Sequence, residues 1–185
     1  MPSKVNLDQH PRLTSLIIII ILSPIIIFIA TRLLISQKKC PLIFTQVRIG
    51  HYQRPFTIFK FQTLLRTENG STLPIDNFCR FLRNTRLDEL PQLFNVLKGD
   101  MHLIGPRPYS LQDHSNMAKI PRFLNRYTVK PGITGYAQSI GLHGPMHSTI
   151  ERLKRLEADL YYINNRSLIG DLRIIFKTLK IALNL

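Results

Sequence analysis

The feature that most restricts this chain is an uncharged run at residues 16–30, LIIIIILSPIIIFIA. A segment this apolar has to enter a protein core or a bilayer. Apolar residues continue outward to Leu13 and Ile35, with Arg32 interrupting. An uninterrupted transmembrane helix wants about 20 apolar residues, so the run is marginal for a straight span. Pro24, near its middle, cannot donate a backbone hydrogen bond, and its ring crowds the preceding turn. Ser23 beside it can help satisfy the freed backbone groups. Lys4 and Arg12 precede the run, and Arg32, Lys38 and Lys39 follow it. Positive charge on both flanks gives no orientation for a simple span. A helix that enters one leaflet, breaks and returns puts both flanks on the cytoplasmic face. No small-x-small cleavage site follows the run, which argues against a signal peptide. A single straight span is the stronger rival to the re-entrant helix expected here.

Behind the membrane segment at 1–36, residues 37–185 are enough for one domain with a real core. Aromatic and β-branched residues in PLIFTQVRIG and PFTIFKFQTL predict strands within residues 41–50 and 55–64, with turn residues in GHYQRP between them. ENGSTLPID, residues 68–76, reads as a polar loop, and residues 78–86 as a short basic helix. Pro91 suits a helix's first turn and pushes the residue before it out of helical geometry. A helix is therefore predicted over residues 92–98, ended by Gly99.

Two amphipathic helices follow. Ile150, Leu153, Leu156, Leu160 and Ile163 recur at helical spacing, with Glu151 and Arg155 paired four apart. Leu168, Leu172, Ile175, Leu179 and Leu183 share one face, and Arg173, Lys177, Lys180 and Asn184 another. That pattern suits a core helix with a solvated basic face and a membrane surface about equally. The expected class is α+β, mostly helical with short strands, with a re-entrant N-terminal membrane helix and amphipathic interfacial helices.

The 25 basic residues outnumber the 11 acidic ones, and the formal charge of +14 asks for an anionic partner. Nucleic acid, anionic lipid and a phosphorylated substrate all fit. Cys40 and Cys79 match no metal or redox spacing and read as free thiols in a reducing compartment. Against this basic background, residues 86–110 read RLDELPQLFNVLKGDMHLIGPRPYS. Asp88 and Glu89 sit side by side on the turn into a helix N-terminus, where free N–H groups and the helix dipole favour negative charge. Arg83 and Arg86 precede them and Lys98 follows. Arg107 stands between Pro106 and Pro108, a rigid presentation suited to a bidentate grip on phosphate. Two carboxylates can hold Mg²⁺, which prefers to bridge phosphate oxygens. One of them can instead attack phosphorus to give an acyl-phosphate. Carboxylates and cations at a membrane surface point to transfer of a phosphorylated group to a lipid.

Several ordered blocks carry a family resemblance. They are Ser23-Pro24, QVRIG at 46–50, KFQT at 60–63, LRNTRLDELPQLFNVLKGDMHLIGPRP at 82–108, VKPGITGYAQ at 129–138, and the run at 155–178 containing DLYYINNRSLIGDLRIIFKT. Over residues 13–183 the chain resembles the bacterial sugar transferases, the small monotopic phosphoglycosyl transferases. The resemblance implies a membrane-bound enzyme at the cytoplasmic face of the bacterial inner membrane. It would move a sugar-1-phosphate from a UDP-sugar to polyprenyl phosphate, usually undecaprenyl phosphate, with Mg²⁺, as the first step of lipid-linked glycan synthesis. By position, Asp88 is implied to be the nucleophile that attacks the β-phosphorus, releases UMP and carries the phosphosugar covalently. Glu89 is implied to assist by holding the metal with Asp88 or tuning it. Lys60, Arg83 and Arg107 fall on positions implied to contact phosphates or shape the site, and Asp159 on an acidic position that orients one of these cations. The segment at Ser23-Pro24 is implied to be re-entrant. Larger relatives carry several N-terminal spans, and the single membrane segment here fits the minimal form. Downstream glycosyltransferases are implied partners.

Departures are also visible. The usual KFRT block is KFQT, placing Gln62 where an arginine is common, and His143 stands in GLHGP where arginine is frequent. The basic motif before the membrane segment is reduced to HPRLTS, and the loop at 66–80 is short and lacks the usual Asp-x-Arg-Ile-Thr pattern. These changes leave open a weakened or inactive homologue that acts as a membrane scaffold. A nucleic-acid reading of the charge finds no groove-reading or RNA-stacking motif. His143 and His147 have the spacing of a helical zinc pair, but Gly144 and Pro145 between them oppose a helix, so the spacing reads as chance.

Overall fold

The computed structural model describes residues 10–36, 40–66, 71–142, 144 and 148–182. Lys4, Lys38, Lys39, His143, Pro145, His147, Leu183 and Asn184, named above, lie outside the described residues. The fold mixes helix and strand, beginning with the apolar run in one helix, α1 (Pro11–Ser36); Pro24 lies inside it, so the break expected at Ser23-Pro24 does not divide it into two helices. Ser23 Oγ donates to the Ile20 carbonyl at 2.8 Å, the acceptor that an N–H at position 24 would have taken. Among the described residues α1 is the one helix long and apolar enough to cross a membrane. Ile20, Ile21, Ile27 and Phe28 are exposed on it. Both ends nevertheless pack on the body. Ser15 is buried and donates to the Leu93 carbonyl at 2.7 Å. Ile29 and Leu33 are buried against Phe61, Cys79 and Leu82, and Arg32 lies 3.6 Å from Asp76.

Strands β1 (Ile43–Ile49) and β2 (Pro55–Phe61) pair antiparallel from Ile43↔Phe61 to Ile49↔Pro55. The turn between them holds Tyr52 and Gln53 in the left-handed region, at φ 52° and 60°. β3 (Leu64–Arg66) and β4 (Thr72–Pro74) form a separate antiparallel pair. β1 and β2 fall within the predicted stretches, and one expectation is corrected: residues 72–74 of the expected polar loop are a strand. The ladder is three pairs long, with Leu64 opposite Pro74 and Leu65 opposite Leu73, a pattern too short to read along the chain. Helix α2 (Asn77–Asn84) starts where the Asp76 side chain accepts from the Cys79 N–H at 2.7 Å. Helix α3 (Gln92–Lys98) ends as expected at Gly99, whose φ of 91° favours glycine.

The chain continues through β5 (His102–Ile104), β6 (Tyr109–Ser110), α4 (Leu111–Met117), a 3-10 turn at Phe123–Thr128, β7 (Gly132–Thr134), α5 (Tyr136–Ser139), α6 (Thr149–Asn164) and α7 (Leu168–Ala182). β6 extends the first sheet to the order β2-β1-β6, and β5 pairs parallel with β7. A core of Ile49, Tyr109, Met117, Phe123, Tyr127 and Leu156 ties β1, β6, α4 and α6 together. α6 opens with a capping box between Ser148 and Glu151. The periodic apolar face predicted for α7 does not enter this core. Leu168, Leu172 and Leu179 are exposed, as are Ile169 and Phe176, while Asp171 and Ile174 turn inward. The Tyr162 hydroxyl donates to Asp171 at 3.1 Å, which satisfies a carboxylate that would otherwise be costly to bury.

Candidate active site

The acidic pair is aimed inward by local backbone geometry. After α2, Arg86 adopts the left-handed region at φ 62° and a 3-10 turn, Leu87–Glu89, follows directly. This tight turn leaves Asp88 and Glu89 only 6% and 7% exposed. Arg107 reaches the same place from the segment after β5. There Gly105 donates to the Thr134 carbonyl at 2.8 Å, and Gly132 donates to the Pro106 carbonyl at 3.0 Å. A Cβ on Gly132 would lie 2.0 Å from the Gly105 nitrogen, so this close backbone approach requires glycine. The GPRP and KPGITG blocks are therefore one structural unit, and that unit fixes the Arg107 backbone.

Glu89 collects the cations. Its Oε1 accepts from Lys60 Nζ, on β2, at 2.5 Å and from Arg107 Nη2 at 3.2 Å. Burial alone would push this carboxyl up, but Arg107 and Lys60 more than reverse that and hold it well below the usual carboxylate range. Asp88 goes the other way. Burial, and then the charge of Glu89, raise its pKa, with Lys60, Arg83 and Arg107 opposing. Among the described residues the direct ion pairs go to Glu89 rather than to Asp88. Burial also lowers the pKa of Lys60, with Glu89 opposing. Two neighbouring carboxylates thus have opposite character: one is locked as an anion by cations, the other is desolvated and uncommitted.

Asp88 lines a cleft of about 390 Å³ with Lys60, Arg83, Arg48, Phe61 and Gln62. Arg48 and Arg83 also border a second cavity of about 270 Å³, shared with Arg107, Arg155 and Asp113. Gln62 turns its amide to the Leu64 carbonyl. Glu89 and Arg86 also face a largely apolar pocket of about 160 Å³ walled by Ile18 and Leu22 of α1 and Ile181 of α7. The structure thus gathers Lys60, Arg83, Asp88, Glu89 and Arg107 in one place. Ser23 and Pro24, on α1, line none of these three cavities.

Asp159 is not in direct contact with any of these cations. It pairs with Arg126, whose Nε and Nη2 donate to Asp159 Oδ2 at 3.3 and 2.8 Å. Burial pushes the Asp159 carboxyl above the usual carboxylate range, with Arg126 opposing; the guanidinium itself stays protonated at any accessible pH. Arg126 Nη2 also donates to the Arg107 carbonyl at 2.7 Å, and its guanidinium lies 3.8 Å over the Tyr109 ring. Sequence reasoning missed Arg126, Arg48 and Arg155. Arg48 lay in the QVRIG block without a role, and Arg155 was read as a helix-surface partner of Glu151. An arginine within the otherwise uncharged FLNRYT, directly before the VKPGITG block, was the available signal for Arg126.

No group of three or more His, Cys, Asp or Glu residues among the described residues could cage a metal. Both cations on Glu89 fall on Oε1, which leaves Oε2 and the Asp88 carboxylate as oxygen donors. That set fits Mg²⁺, which binds through one or two carboxylates and completes its shell with substrate phosphates and water.

Comparison with known proteins gives the family. The profile of the bacterial sugar transferase family matches residues 7–184. A UDP-glucose:undecaprenyl-phosphate glucose-1-phosphate transferase of Klebsiella pneumoniae is 39% identical over 175 residues, covering 90% of this chain and 37% of the relative. A UDP-N-acetylgalactosamine-undecaprenyl-phosphate N-acetylgalactosaminephosphotransferase of Aeromonas hydrophila is 38% identical over 181 residues, covering 92% of this chain and 42% of the relative. The chain thus spans less than half the length of these two. An uncharacterized sugar transferase of Bacillus subtilis (strain 168) is 37% identical over 174 residues, covering 91% of this chain and 83% of the relative. With residues 7–184 matched by the family profile, the chain belongs to the bacterial sugar transferase family.

Proposed function

We propose that this protein transfers a sugar-1-phosphate from a UDP-sugar to a polyprenyl phosphate, undecaprenyl phosphate in the bacterial setting, through a covalent intermediate on Asp88. The observation that carries this reading is the division of labour in the acidic pair. Glu89 is held through Oε1 by Lys60 and Arg107, while Asp88 is buried, has no ion pair of its own among the described residues, and lines an open cleft. A desolvated carboxylate is a better nucleophile than a hydrated one, and the surrounding cations offset the negative charge it must approach.

In the first step an Asp88 carboxylate oxygen bonds to the β-phosphorus, and the bond from that phosphorus to the bridging oxygen breaks. UMP leaves with the electron pair. In the second step an oxygen of the polyprenyl phosphate attacks the same phosphorus and the Asp88 carboxylate departs. The products are UMP and polyprenyl-diphosphate-sugar. Lys60 and Arg107 hold Glu89 and present positive charge toward the transferred phosphoryl group. Mg²⁺, held by Asp88 and Glu89, would supply further charge neutralisation on the diphosphate. The apolar pocket between α1 and α7, with Arg86 in its wall, suits the acceptor: isoprene units against Ile18, Leu22 and Ile181, phosphate toward Arg86.

Membrane attachment is part of the same proposal. The exposed apolar faces of α1 and α7 suit a lipid surface, with α7 lying along it. Arg12 donates to the Lys98 carbonyl and Arg32 pairs with Asp76, so both ends of α1 meet the same body. That arrangement favours a helix that dips into one leaflet over a straight span, and nucleotide sugars place the site on the cytoplasmic face. The test is UMP release from a panel of UDP-sugars by purified protein in detergent with undecaprenyl phosphate and Mg²⁺. Release with one sugar, abolished in Asp88→Asn, is the expected result. Silence across the panel from folded protein would favour the scaffold alternative.

A further inference from the structure

The second cavity beside the nucleophile is walled by four arginines, Arg48, Arg83, Arg107 and Arg155, against a single carboxylate, Asp113. Asp113 is already engaged by the Ser110 hydroxyl at 2.6 Å, and Arg107 by Glu89. Arg48 donates through Nη2 to Gln46 Oε1 at 2.6 Å and through Nη1 to the Pro108 carbonyl at 3.3 Å, and Arg155 through Nη2 to the Gly144 carbonyl at 3.0 Å. Among the described residues, the Nε atoms of both Arg48 and Arg155 are buried with no hydrogen-bond partner. Four guanidinium groups thus border one cavity with a single, already engaged carboxylate, an excess of positive charge that an anion would balance. Burial and repulsion from Arg107 both disfavour the charged forms of Arg48 and Arg155, so an anion placed there would relieve both.

The cavity's position says which anion. Arg48 and Arg83 border both this cavity and the cleft that contains Asp88, whereas Asp88 borders only the cleft. In phosphoryl transfer the attacking and leaving oxygens lie on opposite sides of phosphorus. A diphosphate that offers one phosphorus to Asp88 therefore projects its other phosphate away from Asp88, past Arg48 and Arg83.

We propose that Arg48, Arg83 and Arg155 form the subsite for the leaving phosphate, so that this cavity binds a nucleoside monophosphate as product. The assignment rests on the donor reading above and adds a location and residues for the leaving group. As the bond to the bridging oxygen breaks, that oxygen keeps the electron pair, and the new negative charge appears beside these guanidinium groups.

The experiment is equilibrium binding of UMP and of uridine to the full chain in detergent, for wild type, Arg48→Ala, Arg155→Ala and Arg155→Lys, with thermal unfolding as a check on folding. UMP affinity is expected to fall by about tenfold or more in each alanine variant and less in Arg155→Lys. Uridine affinity should change little, and inorganic phosphate should displace UMP from wild type more readily than from the variants. Unchanged UMP binding in folded Arg48→Ala and Arg155→Ala, or an equal loss for UMP and uridine, would overturn the subsite while leaving the transfer reading standing. Failure of wild type to bind UMP at all would overturn the transfer reading itself.

Discussion

Arg126 donates to the backbone carbonyl of Arg107 at 2.7 Å while its guanidinium is held by the buried carboxylate of Asp159. Asp159, carried on α6, thus reaches the acidic pair through two arginines: it fixes Arg126, Arg126 fixes the backbone at Arg107, and Arg107 holds Glu89. Removing one partner of a buried ion pair leaves an uncompensated charge at a cost of about 3–5 kcal/mol. Arg126→Ala and Asp159→Ala are each expected to lower the thermal midpoint by roughly 10 °C. Removing both together should cost less than the sum, read by thermal unfolding. Additive losses would show that the pair is not coupled.

Asp88 and Glu89 should respond in opposite directions to loss of charge. The folded pKa of Asp88 is raised, so its protonated form is favoured by folding; that contribution is present below the unfolded pKa and is lost as pH rises through the folded one. At neutral pH the ionised Asp88 is a burden, and Asp88→Asn should raise the midpoint by roughly 2–4 °C, the size of about 1 kcal/mol, with the advantage fading in acid. The folded pKa of Glu89 is depressed, so its contribution is present above the unfolded pKa and is lost only as pH falls through the folded one. Glu89→Gln leaves Lys60 and Arg107 without their anion and should lower the midpoint by several degrees at pH 7. Unfolding scans of both variants across pH decide this, and a destabilised Asp88→Asn would contradict it.

The acid limb of the pH dependence of kcat/KM should belong to Asp88. Lys60 draws the Asp88 pKa down, so Lys60→Met removes that pull. The acid limb is expected to move to higher pH, together with a fall in rate. A limb that moves to lower pH would assign the titration to another group.

How much of this was legible along the chain depended on range. α3, α6 and α7 carry their own periodicity and caps, so they could be read locally. β5 and β7 are three residues each and exist only because Gly105 and Gly132 let two distant segments touch. The apolar stripe of α7 was visible, but not that Asp171 and Ile174 rather than Leu172 and Leu179 would face inward; a buried Asp171 bonded to Tyr162 reverses what hydrophobicity alone dictates. Asp88, Glu89 and Arg107 stood out because they are close in sequence and unusual in a basic chain. Arg48, Arg126 and Arg155 lie on three separate elements, and nothing short of the tertiary structure joins them to the site.

Ser23 and Pro24 give α1 a defined weak point, with Ser23 serving the Ile20 carbonyl that position 24 cannot. Pro24→Ala restores the missing donor and should shift part of the population from a re-entrant to a spanning helix. Membrane-impermeant thiol labelling of a cysteine placed ahead of α1 reads this out in cells, in a background where Cys40 and Cys79 are replaced. Protection in the parent protein and partial labelling in Pro24→Ala are expected. Labelling of the parent from outside would replace the re-entrant helix with a span.

The covalent role of Asp88 is tested most directly by intact-protein mass spectrometry after mixing the purified chain with its UDP-sugar and Mg²⁺ in the absence of polyprenyl phosphate. A mass increase equal to one phosphosugar is expected, mapped by peptide analysis to Asp88, absent in Asp88→Asn and discharged when undecaprenyl phosphate is added. Turnover in the complete reaction mixture without an adduct in the acceptor-free one, or an active Asp88→Asn enzyme, would contradict it and require direct transfer from donor to acceptor.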